Sequence, residues 1–193
     1  MNKVFALYTG HGLMEPLSRV FAEELPGVRL VNVVDDSIIA DVRDAGSVTP
    51  AIASRILTYY RIGSDSGADV IFNTCSSVGD VADAAGPFVP VPVVRIDRAM
   101  ARRAIDEGAR IGVVATLPTT LEPTVRLVQT EAAERGKDVE VTRVLASGAY
   151  DALVSGDPDR HDELIREAAA DVADDVDVFI LAQGSMARME EGL

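Results

Sequence analysis

The only cysteine of the chain, Cys75, lies in the stretch "FNTCSSVGD". An apolar run ending at Phe72 precedes it, and a short helical segment follows. A thiol placed where a strand ends and a helix begins faces backbone N–H groups that have no helical acceptor. Such groups favour negative charge, either a thiolate or a bound carboxylate. The same setting lowers a thiol pKa and makes the sulfur reactive near neutral pH. Asn73, Thr74, Ser76 and Ser77 add short hydrogen-bonding groups without net charge, the make-up of an oxyanion or carboxylate cradle. Taken alone, a cysteine after a strand is more often a packing residue, because free cysteine is among the most buried residue types. Its neighbours and the rest of the chain must decide.

A second polar patch, "ATLPTT", covers residues 115–120 and offers Thr116, Thr119 and Thr120 to a small anion. Thr119 or Thr120 is also expected to cap the helix that follows. In "TGHG", Thr9 and His11 occupy a tight turn, where His11 is an acid, a base or simply a polar loop residue. His161, in "GDPDRHDEL", falls at a helix start capped by Asp157 and reads as exposed. The chain's 2 histidines and 1 cysteine show no metal-ligand spacing. "GHGLME" lacks the third glycine of a dinucleotide loop, and no glycine–lysine phosphate loop occurs. Neither a cofactor nor a metal is expected.

The elements that must position these groups alternate between strand and helix. Val4–Tyr8, Val28–Val34, Val70–Phe72 and Val91–Ile96 are compact apolar runs. Between them lie helical patterns over Glu15–Leu25 (Leu17, Val20, Phe21 and Leu25 inward), Pro50–Ile62 (Ile52, Ile56, Leu57 and Tyr60 inward) and Arg98–Glu107. Such alternation predicts an α/β fold with parallel sheets flanked by helices. The pattern then recurs. "KVFALYTGHGLMEPLSR" aligns with "RIGVVATLPTTLEPTVR" at an offset of 107, pairing Thr9 with Thr116 and Arg19 with Arg126. "ADVIFNTCSSVGD" lies over "VDVFILAQGSMAR" at an offset of 108, pairing Asp69 with Asp177 and Cys75 with Gln183. Two nearly equal offsets predict two pseudo-symmetric lobes: 1–96, a connecting helix over 97–109, and 110–193. The second reads as cut short, because little sequence follows "LAQGSM". Ligands of parallel sheets bind beyond the carboxyl ends of the strands. The loops expected at a shared cleft are therefore Thr9–Gly12, Asn73–Ser77, Thr116–Thr120 and Gln183-Gly184-Ser185.

The net charge of −13 and a pI near 4.5 argue against nucleic acid and against an anionic membrane as partners. A single cysteine excludes an internal disulfide and fits a reducing cytoplasm. No apolar run is long enough to span a bilayer, and the N-terminus leads into a strand without a signal-peptide core. A homo-oligomer is left open.

Together "FNTCSSVGD", "IGVVATLPTT" and "LAQGSM" resemble the aspartate/glutamate/hydantoin racemase superfamily over essentially the whole chain. The resemblance implies a duplicated α/β fold and cofactor-independent proton transfer, with one cysteine on each side of a substrate's acidic carbon. Cys75 matches the first cysteine, Ser76 and Ser77 the adjoining carboxylate-binding positions, and Thr116 and Thr119 the threonine loop. Gln183 stands in the second cysteine's place and cannot act as an acid or base near neutral pH. The resemblance therefore implies a racemase- or isomerase-like enzyme acting on a small carboxylate (an amino acid, a hydantoin or a related acid), but not a symmetric two-thiol site. The alternatives are a one-cysteine lyase such as a decarboxylase, or a non-catalytic protein that binds small anions.

Overall fold

The computed structural model describes residues 2–192. The segment KVFALY has apolar side chains pointing both ways, so it is stable only as a strand covered on two faces. It forms β1 (Lys3–Tyr8), whose last four residues are buried. β1 pairs in parallel with β2 (Arg29–Val34) on one side and β3 (Val70–Asn73) on the other. β4 (Val93–Arg95) completes a sheet of order β2-β1-β3-β4. The expected strand Val91–Ile96 is shorter because Pro90 and Pro92 have no N–H to give to a ladder.

The helices of this first unit are α1 (Met14–Glu24), α2 (Ser37–Ala45), α3 (Pro50–Asp65) and α4 (Gly79–Asp83). Thr49 caps α3 by accepting from the Ile52 N–H at 3.3 Å, and Pro50 follows at the first helical position. Ile52, Ile56 and Tyr60 are buried as their spacing requires. Gly63 lets α3 approach the sheet, since a Cβ there would lie 2.6–2.8 Å from Ile71 and Phe5 side-chain atoms. α1 departs from expectation: it buries no residue, and Val20 and Leu25 are nearly half exposed. Phe21 meets the Phe72 ring at a centroid distance of 5.7 Å, and Ser18 accepts from Asn32 at 3.1 Å, so the stripe is half covered.

The second unit repeats the plan. β5 (Arg110–Ala115) is flanked in parallel by β6 (Glu140–Leu145) and β7 (Val178–Leu181), in the order β6-β5-β7. This matches β2-β1-β3, and the chain starts of β1 and β5 differ by the predicted 107 residues. The repeated aspartates do the same work in both units. Asp69 accepts the Lys3 N–H at 2.7 Å, and Asp177 accepts the Arg110 N–H at 2.8 Å. Each carboxylate thereby ties the start of one strand to the start of its neighbour.

The helices here are α5 (Arg98–Glu107), α6 (Pro118–Glu134), α7 (Ala149–Val154) and α8 (Pro158–Ala170), followed by a 3-10 segment over Gly184–Gly192. α5 packs on α6 and β7, and buried Glu131 of α6 holds Arg98 at 2.8 Å and Arg102 at 2.5 Å. α8 starts as its sequence demands, with Asp157 accepting the Arg160 N–H at 3.0 Å and Pro158 next. The compact units are Met1–Ile96 and Asp97–Leu193. Among the described residues no helix is long and apolar enough to cross a membrane.

Candidate functional site

In the first unit the chemistry collects at the carboxyl ends of the neighbouring strands β1 and β3. β1 ends at Tyr8, so Thr9 is the first residue beyond it. β3 ends at Asn73, and Cys75 immediately precedes a 3-10 turn over Ser76–Val78 that runs into α4. The Thr9 hydroxyl, the Ser77 N–H and hydroxyl and the Val78 N–H lie close enough to the Cys75 sulfur to pull its pKa down, the Val78 N–H also donating to the Cys75 carbonyl at 3.3 Å. The turn thus brings short polar groups around the sulfur.

Their effect on the thiol differs from the expectation. Cys75 keeps some accessible surface, yet it lies deep among protein groups, and burial pushes its pKa up. The hydrogen bonds pull in the opposite direction and lose. A three-residue turn supplies a few N–H donors but little helix dipole, so desolvation of the charged sulfur dominates. At neutral pH the sulfur rests as a thiol, with donors already in place for a thiolate.

Behind the sulfur the loop is pinned by buried polar groups. Asn73 is fully buried and donates from Nδ2 to the Cys75 carbonyl at 2.9 Å, while its Oδ1 is buried without a partner among the described residues. Thr74 donates to the Leu7 carbonyl at 2.9 Å, which makes it a tie between β1 and β3 rather than a ligand group. Arg95 is only 2% exposed and pairs with Asp83 of α4 at 2.5 Å. The Arg95 guanidinium lies where a side chain on residue 79 would be, so Gly79 alone admits it. Sequence reasoning passed over Arg95 and Gly79; the glycine two residues after Ser77 was the available signal. Ser76 and Ser77 are buried beside Cys75. His11 stays apart, exposed and 3.3 Å from Asp36.

In the second unit the corresponding strand ends, β5 and β7, are joined by one side chain. Gln183 Oε1 accepts from the Thr116 N–H at 2.6 Å and from the Thr116 hydroxyl at 2.9 Å. A backbone N–H can only donate, so the amide oxygen must face Thr116 and the NH2 end must face away. Among the described residues that NH2 makes no hydrogen bond within its unit. Gly184 is exposed and Ser185 half-buried.

α6 begins two to three residues earlier than the threonines suggested. Pro118 takes the first helical position, so neither Thr119 nor Thr120 caps, and Leu117 at the cap position offers no side-chain bond. Thr120 is buried, and its carbonyl accepts from Thr124. Thr119 Oγ1 is buried without a partner among the described residues.

His161 is the clearest correction. It is fully buried, because α8 turns it inward onto the Gly184–Gly192 segment. Its Nδ1 lies 2.7 Å from Asp162 Oδ1, and its Nε2 lies 3.5 Å from Ser185 Oγ. Arg188 joins the same group through Asp162, at 2.6 and 3.0 Å. Burial pushes the Asp162 carboxyl up, but hydrogen bonds from His161 and Arg188 and the positive charge nearby outweigh it, leaving the pKa low. The sequence carried a hint in the i, i+4, i+8 spacing of His161, Ile165 and Ala169, all buried. Among the described residues no cluster of three or more His, Cys, Asp or Glu could hold a metal ion.

Two parallel α/β units of like strand order, each gathering polar groups at its strand ends, define a duplicated α/β scaffold. A family model for Asp/Glu/hydantoin racemases matches residues 9–193, and the chain belongs to that family. Its fold is that of a glutamate racemase from Francisella tularensis, solved with D-glutamate (15% identity, 98% of this chain and 71% of that one, TM-score 0.77). Similar too are the aspartate racemase of Picrophilus torridus (14%, 98% and 84%, 0.68) and the allantoin racemase of Klebsiella pneumoniae (17%, 99% and 78%, 0.63). No relative is found among curated protein sequences.

Proposed function

We propose that this chain is a cofactor-independent racemase- or isomerase-type enzyme acting on a small carboxylate, with Cys75 as a proton carrier. The observation that carries this reading is the set of donors around the Cys75 sulfur, from Thr9, Ser77 and Val78. A protonated thiol at rest is the form that gives a proton. The S–H bond breaks, a C–H bond forms at an enolate-like carbon, and the thiolate left behind is met by groups already aimed at it. Ser76 and Ser77 are the groups proposed to bind the substrate carboxylate. Thr116 holds Gln183 so that its NH2 is the end offered to a developing oxyanion, and Thr119 adds a hydroxyl with no competing partner among the described residues.

The family and the racemases it resembles support proton transfer at an acidic carbon as the reaction class. An amino acid, a hydantoin or a related acid fits as substrate. The test is solvent-deuterium incorporation into a panel of small carboxylates, followed by mass spectrometry in the wild type and in Cys75→Ala. Label in the wild type that vanishes in the variant supports the reading. Equal label in both returns Cys75 to a packing role.

A further inference from the structure

A second group of reactive side chains lies wholly within the second unit and has no part in the reading above. β7 ends at Leu181, and Ser185 follows in the first turn of the 3-10 segment. Ser185 Oγ is 3.5 Å from His161 Nε2, and His161 Nδ1 is 2.7 Å from Asp162 Oδ1. A carboxylate oxygen can only accept, so the ring hydrogen sits on Nδ1 and the Nε2 lone pair faces the serine hydroxyl. A serine, an imidazole and a carboxylate in that chain of contacts turn a hydroxyl into a nucleophile. The serine contact is long, as such contacts often are before a substrate tightens them.

The surroundings fit acyl chemistry. His161 is fully buried, so its ring cannot turn to solvent. Arg188 holds both oxygens of Asp162, at 2.6 and 3.0 Å, and donates from Nη1 to the Ser185 carbonyl at 2.8 Å. One guanidinium thus keeps the carboxylate and the serine backbone in a common frame. The Met186 N–H donates to the Gln183 carbonyl at 3.0 Å and closes the turn, whereas the N–H groups of Gly184 and Ser185 make no backbone bond among the described residues. Free N–H groups at the nucleophile's own turn are the donors an acyl oxyanion needs. Gly184 is exposed and has no side chain to block an approach, and Ser185 is half-buried.

We propose that Ser185, His161 and Asp162 form an acyl-transfer site whose substrate is a small uncharged ester. Ser185 Oγ attacks the ester carbonyl carbon while its proton passes to His161 Nε2. The carbonyl π pair moves onto oxygen, where the Gly184 and Ser185 N–H groups meet it. The intermediate collapses, the bond to the leaving alkoxide breaks, and the alkoxide takes the proton from His161. Water then repeats the sequence: its proton goes to His161, its oxygen bonds to the acyl carbon, and Ser185 leaves with that proton. An acid and an alcohol are released. The net charge of −13, with Asp162 beside the serine, favours an ester without negative charge. Ser185 and His161 are the catalytic residues here, and Asp162 and Arg188 are positioning residues. No group of the first unit takes part, so the proposal stands apart from the reading of Cys75.

Two measurements on the full chain test this. The first is labelling by a fluorophosphonate reagent at one fixed pH, followed by peptide mapping. Ser185 should be labelled about 10²–10⁴-fold faster than the other serines, the range a general base supplies. His161→Gln should bring Ser185 down to the rate of the others. Asp162→Asn should slow labelling and remove the low-field Nδ1–H proton resonance of His161, which a merely structural carboxylate would leave in place. Should His161→Gln not fold, the comparison among serines in the wild type still decides. The second is hydrolysis of p-nitrophenyl acetate, with the acetyl adduct located by mass spectrometry. Acetyl should be found on Ser185, and Ser185→Ala should lower the rate by a factor of the same order. Labelling of Ser185 no faster than other serines overturns the proposal. Hydrolysis by Ser185→Ala at the wild-type rate, or acetyl carried by Cys75 alone, overturns it too. Deuterium exchange at a carboxylate's acidic carbon remains the separate test of Cys75.

Discussion

Gly79→Ala adds one methyl group where the structure has no room for it. The new Cβ would sit 2.6 Å from Arg95 Nε and closer still to Cζ and Nη2. Arg95 cannot retreat, because it is buried and its Nη1 is held 2.5 Å from Asp83. Either the guanidinium leaves Asp83 or α4 lifts from β4. Severing a buried ion pair costs about 3–5 kcal/mol. Asp80 and Asp83 are 48% and 37% exposed, so water recovers part of that loss. The expected destabilisation is therefore about 2–3 kcal/mol. Urea unfolding followed by tyrosine fluorescence is a suitable assay, since Tyr8, Tyr59 and Tyr60 lie in the first unit and only Tyr150 in the second. With a slope of about 1.5 kcal/mol/M, the midpoint should fall by roughly 1.3–2 M. Cys75, one turn upstream, should become easier to alkylate in the same variant. A midpoint within about 0.3 M of wild type would refute the packing of Arg95 against residue 79, and with it the idea that this arginine fixes the thiol's loop.

Four further outcomes are expected. Thr119→Val removes a buried hydroxyl that has no partner among the described residues, so melting should be unchanged or higher, while turnover falls about 10²–10³-fold; unchanged turnover removes Thr119 from the site. Gln183→Leu deprives the Thr116 N–H and hydroxyl of their acceptor and should cost about 1–3 kcal/mol in denaturant unfolding. The raised Cys75 pKa means that the folded state holds its proton to higher pH than the unfolded chain. The stability this contributes is full below the ordinary thiol value of about 8.5 and is lost as pH rises through the folded pKa; alkylation by iodoacetamide should correspondingly be slow at neutral pH and speed up only above that range, and an alkylation midpoint below it would contradict the burial argument. Asp157→Ala should cost about 1 kcal/mol through the lost cap on α8, read in thermal melts.

The duplicated plan was legible because it rests on features a sequence displays directly. Apolar runs mark β1, β3, β5 and β7, and the paired Asp69 and Asp177 repeat because each must accept the N–H at the start of an adjacent strand. What escaped depended on partners far along the chain. Val20 and Leu25 sit on a helical stripe like any inward face, yet both stay nearly half exposed while Phe21 packs on Phe72. His161 looked exposed among charged neighbours, but those charges are its partners: Asp162 and Arg188 make burial of the ring affordable by occupying its polar edge. The thiol's position was foreseen from the strand–turn pattern. Its pKa was not, because desolvation depends on every group packed around it and leaves no local mark in "TCSSV".

The pair of hydrogen bonds between Thr116 and Gln183 also bears on which histories are open to this protein. A cysteine at position 183 would be too short to reach the Thr116 N–H, so placing a thiol there means giving up both bonds at once. Asparagine falls short by one methylene, and glutamate keeps the acceptor only by bringing a negative charge to the strand ends. Each single step away from glutamine therefore runs downhill in stability before any catalytic gain can appear. Introducing a thiol would call for an earlier change at position 116 that finds the N–H another partner, so the order of substitutions, and not only their number, is constrained. Glutamine at position 183 is held in place by its own hydrogen bonds.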